Sequence, residues 1–255
     1  YIIKSVMDGV PHGISKTVLL SPAGIHVDSP PLAKYGAPLL DIVLRCIPFV
    51  SCVKIPTSFM RVLSAKVFED VKNGSYTKEL FTYIATLLIG GSVEHHSVNK
   101  VNTVRWIFTG TPVKVFRHFR QCISTKKFCA YDFGRKGNLE HYGTEEPICF
   151  TDHFDKLDIP TYFMMGMLDN LIRPANVMKM FEIHSKLHPQ KSFLRAFSDA
   201  GHVEFTLGVS EEMTNVIISS IEDKDNTSVT FHHINVPEEG EEFLQEENFD
   251  DSPQL

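Results

Sequence analysis

An aspartate and a histidine occupy matching places in two neighbouring stretches of this chain. Asp169 lies in "GMLDNLIRP", three residues after Gly166, and His202 lies in "SDAGHVEF", just past the apolar run 192–198. Both stretches begin where a short apolar, β-rich segment stops. In an open parallel sheet such loops gather at the carboxyl ends of the strands, where ligands bind. A buried aspartate that accepts from one imidazole nitrogen sets the tautomer and leaves the other nitrogen to take a proton from a nucleophile. Each residue also has a plainer reading. Asp-Asn after a strand is a common turn or helix cap, and Gly-His is a common loop pair. The shared position of the two favours the pair.

The order acid then base, late in the chain, is the order of an α/β-hydrolase after its nucleophile. No G-x-S-x-G elbow occurs in the 255 residues. "GVPHG" has the outer glycines with proline at the centre, so it offers no hydroxyl. Ser21 in "LLSPAG" follows a strand, but it lacks the strained strand-to-helix turn, and Pro22 has no N–H to donate to an oxyanion. Ser21 is therefore read as structural. The doublets His95-His96 and His232-His233 put their rings on different faces of a helix or strand and have no ligand partner at a useful spacing. No metal and no cofactor are expected.

The elements that must position the pair can be read from punctuation and periodicity. Residues 1–8 look like the end of an amphipathic helix closed by Gly9. "KTVLLSPAG" reads as a buried parallel strand leading into a loop. Residues 26–150 hold helical patterns broken by Pro38, Pro48, Pro56, Gly90, Gly91, Gly110 and Pro112, a helical cap or insertion. Then βα alternation resumes: strand "IPTYFMMG", helix "RPANVMKMFEIHSKLH", strand "KSFLRAFS", helix "EEMTNVIISSIED". A parallel α/β sheet with a helical insertion is the expected architecture.

The chain carries a net charge of −6, unevenly placed. Residues 222–255 hold eleven acids and one base, and the remainder holds 20 acids against 24 Lys and Arg. The acidic end is expected to be a solvated, disordered tail whose partner is unknown. No basic cluster points to nucleic acid. Five cysteines without CxxC spacing are expected to be free thiols, which points to an intracellular location with membrane association left open. The apolar stretches fall short of the roughly 20 residues of a membrane span. The chain starts at Tyr1 inside an apolar pattern, and the expectation is a piece of a longer protein.

At this point the residues resemble a known group, the gastric and lysosomal acid lipases, with the nearest likeness to their plant and protist members. The resemblance covers residues 1 to about 221. "VLLSPAGIH" resembles the strand and loop after the nucleophile helix. "GTPVKVFRHFRQ" resembles the G-T-S segment and H-W-x-Q, with His118 and Gln121 matching and Phe119 in place of Trp. "KKFCAYDFG", followed by Asn138 and Tyr142, resembles K-F-x-x-Y-D-x-G. The segments around Asp169 and His202 resemble those that carry the family's catalytic acid and base, although Glu204 stands for the usual Asp after the histidine and Pro112 for the usual Ser.

The resemblance implies an α/β-hydrolase fold, truncated at its N-terminus. Residues 1–25 would be the end of the nucleophile helix and the next strand, 26–150 the cap, 151–221 the C-terminal core, and 222–255 the tail. It implies a serine esterase or lipase acting on lipid esters, with Asp169 and His202 catalytic and the serine upstream of Tyr1. The cap, above all residues 38–50 and 80–91, would suit an acyl chain and contact a membrane or lipid-droplet surface. Two other readings keep the fold: a non-catalytic binding module, and an acyltransferase.

Overall fold

A computed structural model describes residues 1–47, 51–53, 62, 66, 69, 76–91, 110–208, 210–222, 224 and 227–233. Its centre is a four-stranded, wholly parallel sheet. The strands are β1 (Thr17–Leu20), β4 (Thr161–Gly166), β5 (Ser192–Phe197) and β6 (Val229–His232), in the spatial order β1-β4-β5-β6. In register, Thr17 pairs with Thr161, Thr161 with Ser192, and Leu194 with Val229.

Every residue of β4 and of β5 is buried. Parallel strands covered on both faces have no solvent side, so they read as continuous apolar runs. Alternation then divides their side chains between two cores. Phe163, Met165, Leu194 and Ala196 join Ile3, Ile25, Val177 and Met180 on one face. Met164 and Phe197 join Ala200 and Met213 on the other. The odd member is Arg195, fully buried in β5. Its guanidinium donates to Leu194 O and Thr227 O and lies over the ring of Tyr162.

Helices follow the strands. After β4, α6 (Pro174–Leu187) begins with proline at its first turn, where the missing N–H costs nothing, and buries Val177, Met180 and His184 along one stripe. After β5, α8 (Glu211–Ile221) is capped by Ser210, whose hydroxyl accepts from Met213 N at 3.2 Å, with Glu211 and Glu212 facing the positive end of the helix. Ahead of the sheet, α1 (Ile2–Met7) ends on Gly9 at φ 68°.

The connection between β1 and β4 is mainly helical. It holds α2 (Pro31–Cys46), α3 (Tyr76–Ile89), α4 (Val113–Thr125) and α5 (Gly134–Tyr142), with a small antiparallel pair, β2 (Cys52–Val53) and β3 (Thr111–Pro112). Asp41 of α2 pairs with Arg117 and Arg120 of α4 at 3.2 and 3.1 Å, which ties these helices together. Among the described residues no helix is long and apolar enough to cross a membrane.

Three expectations need correction. The acid-rich end is not all tail, because β6 lies within it and pairs with β5; residues 234–255 fall outside the described residues. Nor are all five cysteines free. Cys129 and Cys149 face each other across an antiparallel bridge and form a disulfide, leaving Cys46, Cys52 and Cys122 as thiols. The odd count therefore says nothing about the compartment. Finally, β1 is only half-buried rather than buried, since it is the end strand among the described residues.

Candidate active site

Three backbone turns build the site. β4 ends at Gly166, and the chain folds back so that Leu168 N donates to Ala200 O of the turn that follows β5, at 2.9 Å. A Cβ on Gly166 would lie 2.3 Å from Ala200 O, so this approach requires glycine. The C-terminal end of α3 closes from the third side. Ile89 O accepts from His202 N at 3.1 Å and from Asn170 N at 3.4 Å, and Gly90 bridges Asp169. Gly90 at φ 75° and Gly201 let these backbones meet; a Cβ on Gly201 would stand 2.4 Å from Gly90 C.

Inside this junction Asp169 is fully buried at its carboxylate. One oxygen, Oδ1, accepts from the backbone N–H groups of Leu171 and Ile172 at 2.8 and 2.7 Å. The other, Oδ2, lies 2.9 Å from His202 Nδ1 and also accepts from the Ser21 hydroxyl. The two sequence readings of Asp169 are thus both satisfied, one by each oxygen. Such a carboxylate is an acceptor, and it takes the Nδ1–H of the imidazole as its donor. The His202 ring is partly exposed, and Nε2 makes no hydrogen bond among the described residues. That leaves one ring nitrogen oriented and unoccupied, the form a general base needs.

Two hollows adjoin the loops. One, about 370 Å³, is lined by Thr86, Leu168, Asp169, Asn170 and Arg173. The other, about 280 Å³, lies between the loop after β1 and α4, walled by Phe119, Phe128, Tyr131 and Phe133. His26 also lines it; this buried ring titrates below the ordinary histidine range because desolvation penalises its charge, and its Nε2 has no hydrogen-bond partner among the described residues.

The motif residues beyond Asp169 and His202 serve as framework. Gln121 exchanges two hydrogen bonds with the Asp132 backbone, at 2.8 and 3.0 Å. His118 Nε2 donates to Cys129 O at 2.7 Å. Asn138 accepts from Phe133 N and donates to the Asp132 carboxylate, and Tyr142 donates to Tyr131 O. Together they bind α4 and α5 to the segment 128–134. Of the paired histidines, His95 and His96 lie outside the described residues. His232 packs against Phe197 while His233 is exposed beside Asp199.

Sequence reasoning missed the contact of Ser21 with the acid. The available signal was its place just after β1, next in register to β4 and so at the sheet end that carries Asp169. Of the junction glycines, Gly90 was read only as a break in a helical pattern.

A wholly parallel sheet flanked by helices, with an Asp–His contact on consecutive strand ends, defines an α/β protein. No protein-family model matches the chain. It is similar to a tear acid lipase-like protein of Mesocricetus auratus, 26% identical over 184 residues. The match covers 68% of this chain and 45% of that protein, so the chain spans less than half the length of this curated relative. The likeness is to an acid-lipase-like protein, and it agrees with an α/β-hydrolase type of fold.

Proposed function

We propose that Asp169 and His202 are the acid and base of a serine-type carboxylic ester hydrolase, a lipase acting on acylglycerols or related lipid esters. The observation that carries this is the imidazole held by Nδ1 on a buried carboxylate while Nε2 has no partner among the described residues. In the reaction His202 takes the proton of a serine hydroxyl as that oxygen attacks the ester carbonyl, then returns it to the departing alcohol. Water, deprotonated by the same histidine, cleaves the acyl-enzyme. Asp169 orients the ring and balances its transient charge.

The serine itself lies upstream of Tyr1 in this reading. Support comes from β1, whose outer edge has no strand partner among the described residues, so that a further strand can pair there. Ser21 does not fill the role, because it bonds to the acid and not to Nε2.

The lipid preference draws on the helical connection. Leu39, Ile42 and Val43 of α2 and Leu80, Ile84 and Leu87 of α3 are exposed. The sequence reading put residues 38–50 and 80–91 around an acyl chain. Their outward apolar side chains fit contact with a membrane or lipid-droplet surface better, and the aromatic hollow under α4 is the better acyl site.

The test uses the longer protein with its upstream residues and a series of p-nitrophenyl and glycerol esters. Asp169→Asn and His202→Ala are each expected to lower kcat by about 10⁴-fold, as loss of a triad member does, and the 255-residue chain alone is expected to be inactive. Near-normal turnover in both variants overturns the assignment. Turnover by the 255-residue chain that His202→Ala abolishes would relocate the nucleophile to within it. Acyl transfer to an alcohol in preference to water would make the protein an acyltransferase.

A further inference from the structure

We propose that Ser21 is a positioning residue that holds and tunes the Asp169–His202 pair, an inference that rests on the acid–base reading above. Its hydroxyl donates to Asp169 Oδ2, the same oxygen that faces His202 Nδ1. The other carboxylate oxygen is already held by two backbone N–H groups. Ser21 therefore supplies the second donor on the oxygen that meets the base, and with it the carboxylate is fastened at both ends against rotation.

The backbone is bent to deliver this hydroxyl. Ser21 is 4% exposed and sits at φ 42°, in the left-handed region that a residue with a Cβ disfavours. Lys126, the other described non-glycine residue at positive φ, is the ordinary left-handed cap of α4. Ser21 caps no helix. Its N–H still donates to Met164 O at 2.9 Å, extending the β1–β4 ladder, and the chain bends at Ser21 itself, ahead of Pro22. Strain of this kind persists where the surroundings over-determine it, and it collects at sites that must be preorganised.

A hydroxyl that donates to a carboxylate draws charge from the oxygen it binds. Oδ2 is then a weaker partner for the imidazolium than it would be with His202 alone. Removing the hydroxyl has two consequences: the histidine becomes more basic, and Oδ2 is held by one partner fewer.

The experiment is an NMR titration of His202 in the 255-residue chain, comparing the parent with Ser21→Ala, Ser21→Gly and Asp169→Asn. Glycine suits the left-handed backbone, so a change shared by the alanine and glycine variants belongs to the hydroxyl and not to the turn. Both are expected to raise the His202 midpoint by about half a pH unit, roughly a threefold change in the protonation constant, and to speed exchange of the Nδ1 proton. Asp169→Asn is expected to lower the midpoint. An unchanged or lowered midpoint in both serine variants, with Asp169→Asn still effective, overturns the role of Ser21 and leaves the pair standing. No response to Asp169→Asn would overturn the pair itself and the inference with it.

Discussion

At the scale of single residues, the site depends as much on what is missing as on what is present. Gly90, Gly166 and Gly201 carry no Cβ where three loops touch backbone to backbone. Gly201→Ala would place a methyl 2.4 Å from Gly90 C, with no flexible side chain there to yield. We expect this substitution to destabilise the chain by about 2–3 kcal/mol, the cost of forcing atoms into a filled contact, measured by urea unfolding. It should also speed exchange of the His202 amide, which donates to Ile89 O. A neutral Gly201→Ala would show that the end of α3 does not meet the loop after β5. Asp169 and His202 were legible beforehand because each follows an apolar strand, at the sheet end where such loops gather. The glycines were not, because a close approach involves a partner that sequence spacing does not reveal.

At the scale of elements, the disulfide is informative. Cys129 and Cys149 close a 20-residue separation and join the segments on either side of α5. Closing a loop of that size stabilises by about 3 kcal/mol through the unfolded chain. The double variant Cys129→Ser, Cys149→Ser should lose about that much in urea unfolding, and strong reductant should produce the same loss in the parent. The Asp169–His202 contact lies on other elements and should persist, as its Nδ1 proton signal would show. β4, α6, β5 and α8 were readable from periodicity and from signals such as Pro174 and Ser210, all of them local. β6 was not, because four residues, "VTFH", inside an acid-rich end become a strand only by pairing with β5.

At the scale of the whole molecule, two buried histidines couple folding to pH. Desolvation holds His26 and His184 below the ordinary histidine value; for His184 the Leu157 carbonyl, accepting from Nε2 at 2.9 Å, opposes the shift in part. The unfolded chain then binds more protons than the folded one once pH falls below about 6.5, the unperturbed value. Stability is therefore full above that pH and declines below it, until pH passes the lower folded values. The urea midpoint is expected to fall between pH 7.5 and 5.5, and to fall less in His184→Gln. A midpoint that rises over this interval would contradict the burial of both rings as neutral groups.

Read alone, the amino-acid sequence determined the α/β class and the helical connection between β1 and β4, and it singled out Asp169 and His202, which the fold brings into contact. Those features rest on local periodicity, on turn residues and on the chemistry of single side chains. Only the tertiary structure decided that Ser21 shares the oxygen of Asp169, that Cys129 pairs with Cys149, that β6 completes the described sheet, and that the end of α3 seals the loop bearing His202. Each of these joins segments from 20 to 148 residues apart. Such contacts depend on where the folded backbone brings the segments, and that placement is a property of the packed sheet as a whole.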